Sequence, residues 1–249
     1  MESGPGQGLH ENTVNIEMLT VSTLNGYPES NVRQRERQER PSNRRGSRRP
    51  GHAKGYHHGD LPRALLDAAL HIVETQGTAA LTLRAAARLA GVSQAAPYRH
   101  FANKEAILAA VAEDGFRSLM AAMRRAAGAG GDGPLERLRG VGLGYVTFAT
   151  AHPSHFRVMF GREIADRLAF PALRQIATET FNVVVDAISD CQRAGLVRAE
   201  EPPADLALTA WSSVHGLSAL LVDGVLDKPV AEVAELVTRD LFLGLGRRQ

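Results

Sequence analysis

Gln94, Tyr98 and Arg99 are long, hydrogen-bonding side chains spaced about one helical turn apart within residues 81–108, a stretch whose punctuation describes three short helices. A short helix with such groups on one face suits the major groove of DNA, which admits a helix and presents a distinct donor and acceptor pattern for every base pair. Thr82 is placed to cap a helix running through Leu89, and Gly91 ends it, because glycine alone enters the left-handed conformation without a Cβ penalty. Ser93 is placed to cap the next helix, Gln94–His100, and Asn103 a third, with Glu105 in its first turn where the macrodipole favours an acid.

A helix as short as Gln94–His100 has no stability of its own, so its neighbours must hold it. Leu83, Ala86, Leu89, Ala90 and Val92 supply a small apolar seam for two closely crossing helices, which leaves Gln94, Ala95, Tyr98 and Arg99 outside. Pro97 is expected to tighten the first turn of the helix rather than break it. The same pattern also fits three packed helices of an ordinary bundle.

From about Tyr56 to Phe116 the chain resembles the DNA-binding domain of the tetracycline-repressor (TetR) family. The resemblance is carried by a first helix ending near Gly77, Leu81-Thr82 opening the second, Gly91-Val92-Ser93 as the turn, Tyr98-Arg99-His100-Phe101 closing the recognition helix, and Asn103-Lys104-Glu105 opening the fourth. It implies a homodimeric transcriptional regulator, usually a repressor that leaves its palindromic DNA operator on binding a small effector. By the same resemblance Thr82, Lys104 and His100 correspond to phosphate contacts, and Gln94, Ala95 and Tyr98 to groove-facing positions, with Ser93 and Arg99 beside them. Pro97 and Ala85 depart from the family pattern, the first where a larger apolar residue is usual and the second where an acid would complete a capping box.

Composition agrees with an all-α chain: 44% of the 249 residues are hydrophobic and only 5% aromatic, and alanine is abundant. The expected organisation is a tail over 1–55, a helix-turn-helix domain over 56–103 and a helical regulatory domain over 104–249. One cysteine, Cys191, cannot form an internal disulfide and points to a reducing cytoplasm. Residues 1–30 lack a basic start followed by an apolar stretch, so no signal peptide is expected. Leu206–Val222 is a long uncharged stretch, and it reads as a buried helix rather than a membrane span.

Residues 33–54 hold nine Arg and Lys and two Glu, a net of +7 in a chain of net +2. The whole of 1–55 is polar and rich in Gly, Pro, Ser and Asn, so it is expected to be disordered, with the arginines available for phosphate or minor-groove contacts. A solvated tail, or a true start at Met18, is the alternative.

Beyond the tail, helical periodicity is expected from Asp60 to Gly77 with Leu66, Ala69, Leu70 and Val73 on one face, and then over Lys104–Ala127, Pro134–Ala151, His155–Phe160, Pro171–Ala194, Ala204–Val222 and Val230–Leu245. Ala151-His152-Pro153, the run Phe156 to Phe160, and Trp211 with His215-Gly216 resemble the regulatory domain of a TetR subgroup named for a Trp-His-Gly signature. This implies an effector-binding and dimerisation domain, with Trp211 and His215 on one helix face. Tyr145, Phe148, His152, Phe156, Met159, Phe160 and Phe181 complete the candidate pocket, although such residues at helical spacing also make plain core. Ala204–Val222 has almost no charged face, and Val230–Leu245 is expected to bury Val230, Val233, Leu236, Val237, Leu241 and Leu245. Pairing these last two helices with their symmetry mates gives an isologous four-helix dimer interface.

An enzyme is the rival class, with His152, His155, His215, Cys191, Asp186 and Asp190 as its candidate groups. No nucleophile elbow, phosphate loop or HExxH is present, and His152 and His155 have no second helical ligand pair. No cofactor, metal or catalytic residue is assigned. A constitutive DNA-binding or interaction protein without an effector is the third reading.

Overall fold

A computed structural model describes residues 60–246; the tail over 1–55 and Met18 lie outside the described residues. Eight α-helices follow one another among the described residues: α1 Leu61–Gln76, α2 Leu83–Leu89, α3 Lys104–Ala129, α4 Pro134–Ala151, α5 Pro153–Phe160, α6 Pro171–Arg193, α7 Pro203–Val222 and α8 Val230–Leu245. No strand occurs among them, only an isolated antiparallel bridge between Val197 and Gly246.

The starts of these helices follow simple local chemistry. Pro134, Pro153, Pro171 and Pro203 each occupy a first-turn position, where the missing N–H has no helical partner to lose. Thr82 Oγ1 accepts from Ala85 N at 3.0 Å and Asn103 Oδ1 from Ala106 N at 2.8 Å, as their sequence positions predict.

α1 and α2 form a small layer with the first turns of α3, around Leu65, Leu81, Leu83, Ala86 and Phe101. α3 then runs on into a larger bundle, where it packs on α4, α5 and α6, while α7 lies on α4 and α6 and α8 lies on α4 and α7. Pro203–Val222 is long and apolar enough by composition to cross a membrane, yet here it buries Leu206, Trp211, Val214 and Leu217 against its neighbours.

Several faces differ from the sequence expectation. α1 buries Leu65, Ala68, Ala69, Ile72 and Val73, a stripe turned by about one residue from the expected one, so Leu66 and Leu70 are half-buried. Leu89 was placed in the seam but is exposed, because α2 ends there and Ala87 takes the inward position. On α8, Leu236 is 45% exposed and Leu243 is 78% exposed; Val233, Ala234, Thr238 and Leu245 are buried, and Val230, Val237 and Leu241, expected to be buried, are half-buried.

Candidate functional site

The segment after α2 carries the groove-facing candidates. Gly91, at φ +70°, makes the turn that the sequence requires there. The expected α-helix over Gln94–His100 does not form; its place is taken by turns and a 3-10 segment, Pro97–Arg99. The physical reason is Pro97. It has no N–H to return to Ser93, so the α-helical loop between these two residues cannot close. The backbone therefore closes through shorter loops, Ala96 N to Ser93 O at 3.0 Å, Arg99 N to Ala96 O at 3.3 Å and His100 N to Pro97 O at 2.9 Å.

Pro97 and Phe101 are buried and anchor this segment, whereas Ser93, Gln94, Ala95, Tyr98, Arg99 and His100 are all exposed. Thr82 is exposed beside them with its oxygen engaged in the cap, which leaves its hydroxyl proton free to donate to a phosphate. Lys104 is half-buried at the start of α3. Sequence reasoning passed over Arg84 and Arg88, which stand exposed one turn apart on α2. The available signal was the absence of any Asp or Glu from Thr75 to Lys104, which makes the exposed side of α2 and of the turn after it cationic.

The regulatory candidates divide into two groups. Tyr145 from α4, Phe156 and Phe160 from α5, and Trp211 and His215 from α7 form one aromatic cluster, with Tyr145 to Trp211 at 5.0 Å, Phe160 to His215 at 4.5 Å and Phe156 to His215 at 5.2 Å between ring centroids. Phe181 joins through Trp211 at 5.6 Å, and Phe116, which the sequence reading did not include, through Phe160 at 5.4 Å. Phe148, His152 and Met159 lie apart. Phe148 stacks near His152 at 5.0 Å, His152 is exposed at the α4–α5 corner, and Met159 is buried against Gly115 of α3.

Tyr145 Oη lies 2.8 Å from His215 Nδ1, the one hydrogen-bonded polar pair in the cluster. Burial holds the Tyr145 phenol well above its ordinary value and the His215 imidazole below its own, so both are uncharged at neutral pH. On the other side of Tyr145 and Trp211 lies an apolar cavity of about 20 Å³, walled also by Met123, Leu138, Val141, Val184 and Phe242. One water needs roughly 10–15 Å³, so the cavity has room for about one. Of the nine candidate effector residues only Tyr145 and Trp211 reach it.

The neutral His215 has a consequence for stability. Its folded pKa is below the value of about 6.5 that it has in the unfolded chain, so the unfolded state takes up the proton first and stability is lost as pH falls from about 6.5. His155 shifts the same way, through burial that outweighs the pull of Asp114. The thermal midpoint is expected to drop on acidification, and His215→Gln to make that drop shallower. Identical pH profiles for the two proteins would contradict the assignment.

α5 and the loop after it also reach the layer of α1, α2 and the start of α3. Asp114 of α3 accepts from Arg63 of α1 at 2.8 Å, with His155 Nε2 at 3.5 Å from its other oxygen. Glu163 accepts from Thr78, between α1 and α2, at 3.0 Å, and Glu105 accepts from Asp166 N at 3.1 Å. One segment, residues 153–166, thus carries Phe156 and Phe160 on one side and three polar links to that layer on the other.

Among the described residues no group of three or more His, Cys, Asp or Glu side chains is placed to hold a metal ion. Cys191 is buried, and burial, with Asp190 nearby, pushes its thiol up to about 11.

This arrangement, an exposed cationic turn held by a small helical layer and a helical bundle behind it, is that of a helix-turn-helix regulator, and the similarities of the chain agree. Residues 65–111 match the bacterial regulatory proteins of the tetR family, and residues 138–241 match the tetracyclin repressor-like C-terminal domain. Over 62 residues the chain is 44% identical to an HTH-type transcriptional regulator BetI of Rhizobium meliloti (strain 1021); this covers 25% of the chain and 29% of that relative's length. A solved structure of a protein with unknown function from Rhodococcus sp. RHA1 is 34% identical, with a TM-score of 0.70, over 78% of this chain and 100% of that one. A bacterial regulatory protein in the tetR family from Rhodococcus RHA1 is 21% identical, with a TM-score of 0.60, over 76% of this chain and 98% of its own. The chain belongs to the TetR family of transcriptional regulators. The Trp-His-Gly subgroup remains a resemblance.

Proposed function

We propose that this chain is a cytoplasmic, non-enzymatic repressor that binds a palindromic operator as a homodimer and is released by a small effector held in the bundle. The observation that carries the reading is the double engagement of α5, whose aromatic side chains pack on His215 while His155 and the following loop hold α3 and Thr78. A ligand can weaken DNA binding only if it prefers a conformation in which the reading segments are wrongly placed, and a shift of α5 would move both sides together. Ser93, Gln94, Ala95, Tyr98 and Arg99 face the groove, Thr82, His100 and Lys104 hold phosphates, and the Arg-rich residues 33–54 add salt-sensitive affinity.

Footprinting the purified protein on the DNA upstream of its own coding sequence tests this. A protected palindrome supports the reading; the absence of any sequence-specific protection shifts it to an interaction protein.

The dimer is assigned to α7 and α8. Leu208, Ser212, Gly216 and Leu220 follow one another at one-turn spacing on α7, all exposed, and Leu236 and Leu243 are exposed on α8. A Cβ at Gly216 would meet nothing within 4 Å. Gly216→Leu is therefore expected to leave the chain folded while pushing the two copies apart, so that light scattering finds monomers at concentrations where the parent is dimeric. A dimeric Gly216→Leu protein would place the interface elsewhere.

A further inference from the structure

We infer that the bundle cavity takes the hydrocarbon part of an uncharged lipophilic molecule, an aliphatic chain or fused-ring skeleton without an ionised group inside the protein. This deepens the effector reading above and rests on it for its regulatory meaning.

The chemistry of the walls carries the inference. Every side chain on the cavity is apolar or aromatic except Thr238, whose hydroxyl is already bonded to Ala234 O at 2.7 Å, and Tyr145, whose hydroxyl is turned away to His215. Nothing there repays the desolvation of a carboxylate or an ammonium group. The nearby charges are closed on themselves: Arg139 of α4 and Glu235 of α8, each one turn from the lining residues Gly142 and Thr238, form an ion pair with each other. Arg139 Nε has no hydrogen-bond partner, which makes a carboxylate the competing ligand to be tested.

The cavity is small, so a ligand must enlarge it, and one wall is suited to move. α8 packs on α4 and α7 alone among the helices with substantial packing on it, and it meets α4 closely at Gly142, where a Cβ would lie 2.9 Å from the Thr238 methyl. At its far end α8 is tied to the loop after α6 by Arg198 N to Leu245 O at 3.3 Å and Arg198 Nη1 to Gly244 O at 2.9 Å. Separation of α8 from α4 about that tether lengthens the slot. A guest would press on Tyr145 and Trp211, which separate the cavity from Phe156 and Phe160 of α5.

Trp211 is the only tryptophan of the chain and lines the cavity, so its emission reports occupancy directly, whether or not DNA is present. The full-length protein is titrated at neutral pH with 1-decanol, decanoate and decyltrimethylammonium below their aggregation limits. Decanol is expected to shift Trp211 emission saturably and to raise the thermal midpoint, with both ions at least about tenfold weaker. Val184→Ile, which adds one methyl group to the cavity wall, is expected to fold normally and to weaken decanol binding; if it does not fold, Val141→Ile provides the same test. Unmoved emission with decanol, equal binding of decanoate, or full decanol binding by the filled variant would overturn the inference. An operator footprint that persists with decanol bound would instead sink the regulatory role and leave the binding site standing.

Discussion

Gly140→Val is expected to destabilise the protein by about 3 kcal/mol, the upper part of the usual overpacking range. A Cβ built at Gly140 would lie 2.5 Å from Ala126 O and 2.8 Å from Ala127 Cα, both backbone atoms of α3 that no rotamer change can move aside. One turn on, Gly144 repeats the geometry, at 2.8 Å from Ala122 O and 2.9 Å from Met123 Cα. α3 and α4 form the most extensive helix pair in the molecule, and they approach so closely because these two positions have no side chain. Any larger residue must push the helices apart and loosen Met123, Leu138 and Val141, which are buried beside the crossing. Gly128→Ala is the control, because that site is helical and open and should gain up to about 1 kcal/mol from helix propensity. Chemical denaturation of the three proteins measures this. A Gly140→Val midpoint equal to the parent's would mean that the helices do not cross as described.

Tyr98→Ala is expected to lower discrimination between operator and mismatched sites by about 1–3 kcal/mol, while Lys104→Ala weakens binding to all sequences alike and reduces the salt slope by about one. Tyr98 is 53% exposed on the 3-10 segment, where it packs on little of its own protein, so truncating it removes no piece of core and tests the proposed DNA contact alone. Lys104 lies half-buried at the start of α3 and suits a phosphate. Competition binding at two or more salt concentrations separates the two effects. Unchanged discrimination by Tyr98→Ala would remove this segment from the role of reader.

The helix boundaries were readable because they depend on local chemistry. Thr82, Asn103, Gly77, Gly91 and the first-turn prolines act within a few residues of themselves, so a one-dimensional string contains both partners of each interaction. Pro97 was noticed for the same reason, but its outcome was misjudged. Whether a proline tightens a helix or leaves 3-10 turns in its place depends on how the ring is packed, and here the ring is buried. The aromatic cluster was partly legible, since Trp211 and His215 share a helix face. The cavity was not. Met123, Val184 and Phe242 come from three separate helices, and nothing in their own surroundings marks them as neighbours. The expected burial of Leu236 failed because an apolar stripe shows that a face wants covering without saying whether this chain or another provides the cover.

The reading segment has little hydrogen-bonded structure of its own, only a few short-range turns ending at Pro97–Arg99. Its shape is therefore borrowed from Pro97 and Phe101, which are buried beneath it. In such a device the sequence preference is written in two places. One is the exposed face, where substitutions exchange one contact for another. The other is the hidden layer beneath, where a change of a methyl group would tilt Tyr98 and Arg99 without touching the nucleic acid, so regulators with identical exposed residues can diverge in the sites they choose.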